Sequence, residues 1–207
     1  MIENLLTLKV NDYFVATFFW NIFLALLPCV IVWRLSNVYY LKKWGNISRL
    51  NRFSFLFTFL VWFFFFPNTT YLITDIRHLA DYCDNLDYFR VCVDEAWVVP
   101  VFFTYAFIGI PTFYYSLKKM TNVIEKLFGK WAKRIFPLFM IPITALGLLL
   151  GLVARFNSWN VVTHPWAIIK TALIYLTGNT MQLNLMAYSL MLYFIYYSID
   201  LMLKKKK

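Results

Sequence analysis

The stretch "FFFFPNTTYLITDIRHL", residues 63–79, decides how this chain is read. Four phenylalanines suited to lipid run into Pro67, and within twelve positions of it come Asp75, Arg77 and His78, the last one of only two histidines. Proline donates no backbone hydrogen bond and disfavours helical geometry in the residue before it, so an apolar helix is expected to stop at Phe66. Asn68 or Thr69 can cap a new helix. At about 100° per residue, Leu72, Ile73, Ile76, Leu79, Ala80 and Cys83 share one side of it, and Thr74, Asp75, Arg77, His78, Asp81 and Asp84 take the other. This pattern predicts an amphipathic helix over 70–85 lying along the outer membrane surface.

The whole chain supports a lipid environment. Of its 207 residues 61% are hydrophobic and 21% aromatic, only 14% are charged, and mean hydropathy is +0.62. A soluble domain is about half apolar and about a quarter charged. A chain this short cannot hide the surplus inside a globule, so lipid must face much of it. The expected fold is all-α: one integral membrane domain, residues 1–207, with transmembrane helices at about 13–33, 50–66, 97–117, 135–154 and 183–203. Each approaches the roughly 20 residues that cross ~30 Å of hydrocarbon. Two short interfacial or re-entrant helices are expected on the outer side, and a sixth span results if residues 164–177 cross rather than re-enter or lie flat.

Charge gives the orientation. The net charge is +10, with 20 Lys and Arg. Five of these fall in loop 34–52, six in loop 118–134 and four in the tail at 204–207, leaving five for the opposite side. Eight of the ten acids lie on that opposite side. The positive-inside rule then predicts a multi-pass protein of the cell membrane, with its amino terminus outside and its carboxy terminus in the cytoplasm. The basic excess is a topology signal, helped by anionic membrane lipids, and does not point to nucleic acid. The first apolar run lacks a preceding basic region and an A-x-A-like site, so it is expected to be an uncleaved anchor. Cys29 reads as a packing residue within it. Cys83 and Cys92 share an outer loop, where they form a disulfide or stay two free thiols.

Two polar clusters stand out on the outer side. In the first, Tyr71, Asp75, His78 and Tyr82 follow i, i+4, i+7, i+11 along one helical stripe. An Asp–His pair at i, i+3 can orient an imidazole, share a metal or pass a proton; equally, the stripe is the solvated face of an interfacial helix. The second cluster, "ARFNSWNVVTHPW" at 154–166, holds Arg155, Asn157, Trp159 and the other histidine, His164. Pro165 suits the first turn of a further helix that Gly178 would end, and Lys170 on it is read as snorkelling. Because an arginine at the edge of hydrocarbon is costly, Arg155 is expected within about 2.7–3.2 Å, or one water, of Asp75. Between the clusters, Gly147 and Gly151 form a small-xxx-small face suited to close helix packing within the chain. Five further prolines imply kinks or helix starts in the spans. No nucleotide-binding, nucleophile-elbow or zinc-protease motif is present.

The pattern P-N-x-x-Y-x-x-T-D-x-x-H-L, here Pro67, Asn68, Tyr71, Thr74, Asp75, His78 and Leu79, resembles the signature of a bacterial membrane family known as domain of unknown function 1361. The block R-x-N-S-W, here Arg155, Asn157, Ser158 and Trp159, is similar to its second signature. That family often carries an aspartate after the tryptophan; this chain has Asn160, so a carboxylate role there does not transfer. The resemblance implies no activity. It singles out the same two clusters that topology does.

Three functions are compatible, in this order. The first is a binding or accessory component presenting an outer polar pocket to an envelope lipid, a small solute or a partner protein. The second is a membrane-surface, metal-assisted hydrolase or transferase. It would use a divalent metal on Asp75, His78 and His164, with Arg155 holding an anionic group. The third is a small transporter, against which Asn21, Thr58, Thr104, Tyr105 and Thr144 are scattered rather than aligned.

Overall fold

The computed structural model describes residues 9–10, 13–39, 48–76 and 98–204. A two-residue antiparallel pairing, β1 (Lys9–Val10) with β2 (Tyr13–Phe14), precedes a helical bundle. The helices are α1 (Val15–Tyr39), α2 (Arg49–Phe65), α3 (Pro67–Thr74), α4 (Val98–Phe128), α5 (Lys130–Leu152), α6 (Asn160–Thr163), α7 (Pro165–Thr177) and α8 (Asn179–Lys204). Among the described residues, four helical segments are long and apolar enough to cross a membrane: Thr17–Asn37, Arg49–Thr74, Lys130–Leu152 and Asn179–Lys204. The expected span at 97–117 falls in α4, which at 31 residues is about 46 Å long but is not one of those four. α7 starts at Pro165 and ends before Gly178; its 13 residues reach only about 20 Å.

Two expectations about the opening stretch are corrected. α2 ends at Phe65 as expected, but the chain does not turn away there: Phe66 keeps helical angles (φ −58°, ψ −38°) and Pro67 begins α3 directly, so Arg49–Thr74 runs on as one broken apolar segment. Nor is the following segment a surface helix as far as Thr74. α3 packs against α1, α4 and α5, and Thr69, Thr70 and Leu72 are fully buried. The reason is local. Proline removes the donor that would serve the Phe63 carbonyl, and the side chains that follow bond the next carbonyls along rather than turning to solvent. Asn68 Nδ2 donates to the Phe65 carbonyl at 3.1 Å, Thr69 Oγ1 to Phe66 at 2.8 Å and Thr70 Oγ1 to Pro67 at 2.7 Å. The residues read as caps of a new helix are what let the old one continue in a water-poor interior. His78, Tyr82, Cys83 and Cys92 lie outside the described residues.

The aromatic core holds this broken helix in place. Trp62 is fully buried, and its Nε1 donates to Ser116 Oγ of α4 at 2.9 Å. Its ring stacks on Phe66 at 4.7 Å, and Phe66 stacks on Phe113 at 5.6 Å. Phe18 and Tyr105 stack at 4.5 Å, with the Tyr105 hydroxyl donating to the Phe18 carbonyl at 2.9 Å, which ties α1 to α4. Outward, Phe107, Phe139 and Phe194 are each about two-thirds exposed or more, as lipid-facing side chains would be.

Glycines set the spacing around α3. A Cβ at Gly109 of α4 would meet Leu72 Cβ at 3.0 Å and the Ile73 backbone nitrogen at 3.1 Å; one at Gly147 of α5 would meet Pro67 Cγ at 2.7 Å. α3 is thus gripped between two notches. At the opposite end of the bundle, Asp200 of α8 receives Lys118 of α4, Lys204 at 2.8 Å and the Tyr114 hydroxyl at 3.1 Å.

Candidate functional site

The start of the first polar block, at Asn68 and Tyr71, meets the second block, Arg155 to Trp159, at one place. α5 ends at Leu152, and Arg155 then takes the left-handed conformation, φ 59°. For a residue other than glycine this costs about 1 kcal/mol. The reversal turns Phe156 back, so that its N–H donates to the Leu150 carbonyl at 3.2 Å, and carries Asn157, Ser158 and Trp159 over the end of α5. Ser158 Oγ there accepts from Asn68 Nδ2 at 3.0 Å, joining positions 90 residues apart. Asn160 holds the turn shut: its Oδ1 accepts the Asn157 N–H at 2.7 Å, and its Nδ2 donates to Thr163 Oγ1 at 3.3 Å. These two bonds give Asn160 a structural role.

A cleft of about 640 Å³ lies beside this junction. Its floor is the α3–α5 contact, with Pro67 against Gly147 and Tyr71 near Gly151. One wall is α1, with Thr17, Trp20, Asn21 and Leu24; α7 forms the other, with Ile168, Ile169 and Ala172. Phe63 and Phe64 close the α2 side, and the turn from Arg155 to Trp159 forms the polar end. The volume is that of an ordinary small-ligand site. Trp20 and Ile169 are about half exposed, so the walls are open to the surroundings of the bundle.

Of the residues the sequence nominated, Tyr71, Arg155, Asn157 and Trp159 line the cleft, as do Pro67, Asn68, Gly147 and Gly151. Asp75 does not; it is buried, at 1% exposure, one turn beyond Tyr71. The expected Arg155–Asp75 pair is absent from the ion pairs of the described residues, which are Lys118–Asp200, Lys204–Asp200 and Lys133–Glu125. The reason is that α3 enters the bundle and takes Asp75 with it, while the left-handed turn leaves Arg155 exposed at the cleft. His164 is also exposed, with Nδ1 2.9 Å from Thr163 Oγ1, and is not among the residues lining the cleft. Among the described residues no three His, Cys, Asp or Glu side chains gather as metal ligands; His78 lies outside that set.

Sequence reasoning expected the helix that starts at Pro165 to cover the site but missed the contribution of α1. Asn21 carried the available signal, as an amide inside an apolar span, but nothing in the spacing tied it to residues 50 and 130 positions away.

Fold and cleft together define a helical membrane protein with one polar-ended groove where two separated sequence blocks come together. A family model described as "Protein of unknown function (DUF1361)" matches residues 20–197, and the chain belongs to that family. Comparison with curated proteins and with solved structures gives no match.

Proposed function

We propose that the protein is a non-catalytic binding component of the cell membrane, presenting the cleft to a ligand drawn from the membrane on its extracytoplasmic side. The observation that carries this reading is the meeting of Asn68 and Ser158 at 3.0 Å, where the start of one polar block and the second block share one end of a largely apolar groove. A groove with one wet end and a wall open toward lipid suits a molecule with the same division. Five crossings, counting α4, accommodate the charge asymmetry of the loops and put the cleft on the side of the amino terminus.

Two experiments test the reading. Protein extracted in mild detergent is expected to retain one tightly bound membrane molecule per chain by native mass spectrometry. Ala172→Trp, which fills the groove from α7, is expected to lose it; equal retention by both forms would count against the cleft. For orientation, cysteines placed singly in segments 34–52 and 118–134 of a cysteine-free variant should be shielded from an impermeant maleimide in intact cells, and cysteines in segment 77–97 should react. The opposite pattern would move the cleft to the cytoplasmic side.

A further inference from the structure

We infer that the cleft selects an anionic amphiphile: a single hydrocarbon chain ending in a phosphate or carboxylate, its head on Arg155 and its tail along α1, α5 and α7. This rests on the reading of the cleft as a site for a membrane ligand and names the ligand's chemistry.

Charge is the first argument. Among the described residues that line the cleft, Arg155 is the one charged side chain and none is an acid. A guanidinium at the edge of hydrocarbon recruits an oxyanion, which it can grip with two parallel hydrogen bonds. Donor count is the second. Ser158 Oγ is already the acceptor of the Asn68 amide, so its own proton points elsewhere. The Asn157 amide and the Tyr71 hydroxyl, both lining the same end, can donate as well, beside a guanidinium that can only donate. An anionic head can accept from all of these, and the Arg155 charge favours it over a neutral alcohol or sugar head.

Backbone conformation is the third argument. Glycine would take φ 59° at position 155 without strain, yet an arginine is there, so the strained turn carries a side chain used for something other than chain reversal. Shape is the fourth. Behind the polar end, the groove runs about two helical turns along α5, from Gly151 to Ile143, with Leu24, Phe63 and Ile168 beside it. That is about 12 Å of apolar channel, which fits an alkyl chain and gives a free inorganic anion nothing to bind.

The test uses the full chain in nanodiscs of phosphatidylcholine with radiolabelled dodecyl phosphate as probe, against empty nanodiscs. One saturable site per chain is expected. Dodecanol and inorganic phosphate should each compete at least ten-fold more weakly than unlabelled dodecyl phosphate. Arg155→Gly, which relieves the backbone strain and so should fold, is expected to weaken binding roughly ten- to a hundred-fold, the worth of a charged hydrogen-bonded contact; Arg155→Lys should fall between. Unchanged binding in Arg155→Gly, with loss in Ala172→Trp, would overturn the anionic class while leaving the cleft as a ligand site. Competition by inorganic phosphate equal to that by dodecyl phosphate would overturn the amphiphile and leave a free anion. Equal binding by Ala172→Trp and the unaltered protein, or no saturable binding at all, would overturn the cleft reading itself.

Discussion

Gly147→Leu is expected to keep α3 from docking and to abolish the folded species in detergent. Gly147→Ala should cost about 1–2 kcal/mol, and Gly151→Ala should be neutral or slightly stabilising. The two glycines belong to one small-xxx-small pattern and look equivalent in sequence. Their surroundings differ. A Cβ at Gly147 would stand 2.7 Å from Pro67 Cγ, an atom of a ring that cannot rotate away. α5 would have to retreat from α3, drawing Ser158 away from Asn68. Overpacking of this kind costs about 1–3 kcal/mol, more than the ~1 kcal/mol alanine gains in helix propensity. At Gly151 the nearest atoms would be the Phe156 carbonyl oxygen at 3.5 Å and the Tyr71 ring at 3.9 Å, ordinary contact distances, so the propensity gain is kept. Thermal unfolding followed by size-exclusion survival would rank the three variants. Equal loss at both positions would mean that the motif acts through something other than the Pro67 contact.

The second large effect is expected at the other end of the bundle, where Asp200→Ala should destabilise the protein by about 2 kcal/mol. Asp200 is 7% exposed and accepts from Lys118, Lys204 and Tyr114. Removing one partner of a buried charge pair costs about 3–5 kcal/mol because the other is left uncompensated. Here the cost is smaller because the Lys118 and Lys204 side chains are 27% and 69% exposed and water screens them. Lys118 accounts for most of what remains, since it joins α4 to α8 across 82 residues while Lys204 lies on the same helix as Asp200. Adding Lys118→Met should therefore restore half or more of the loss. Simple additivity of the two changes would show that the stabilisation does not come from their contact.

The expected fold was legible where physics acts along a single segment. Twenty-residue apolar runs, loop lysines and the Pro165 and Gly178 boundaries of α7 are local signals, and they foretold a helical membrane chain and most of its helix limits. The grouping of the candidate site was legible only in part. Topology put both polar blocks on one side, but their contact through Asn68 and Ser158 depends on the left-handed turn at Arg155, and arginine gives no local sign of adopting it.

The stretch at 63–79 shows where the line falls. Its composition by itself determined that the chain would break at a proline and that polar side chains would cluster just beyond it. Whether the helix left the membrane there or carried on was a tertiary matter. Gly109 and Gly147 let two helices close on Pro67 and Leu72, and the burial gained by α3, with the Thr69 and Thr70 hydroxyls satisfied on carbonyls of the preceding turn, outweighed proline's preference to turn the chain away. That choice buried Asp75, separated it from Arg155, and left the arginine facing the cleft.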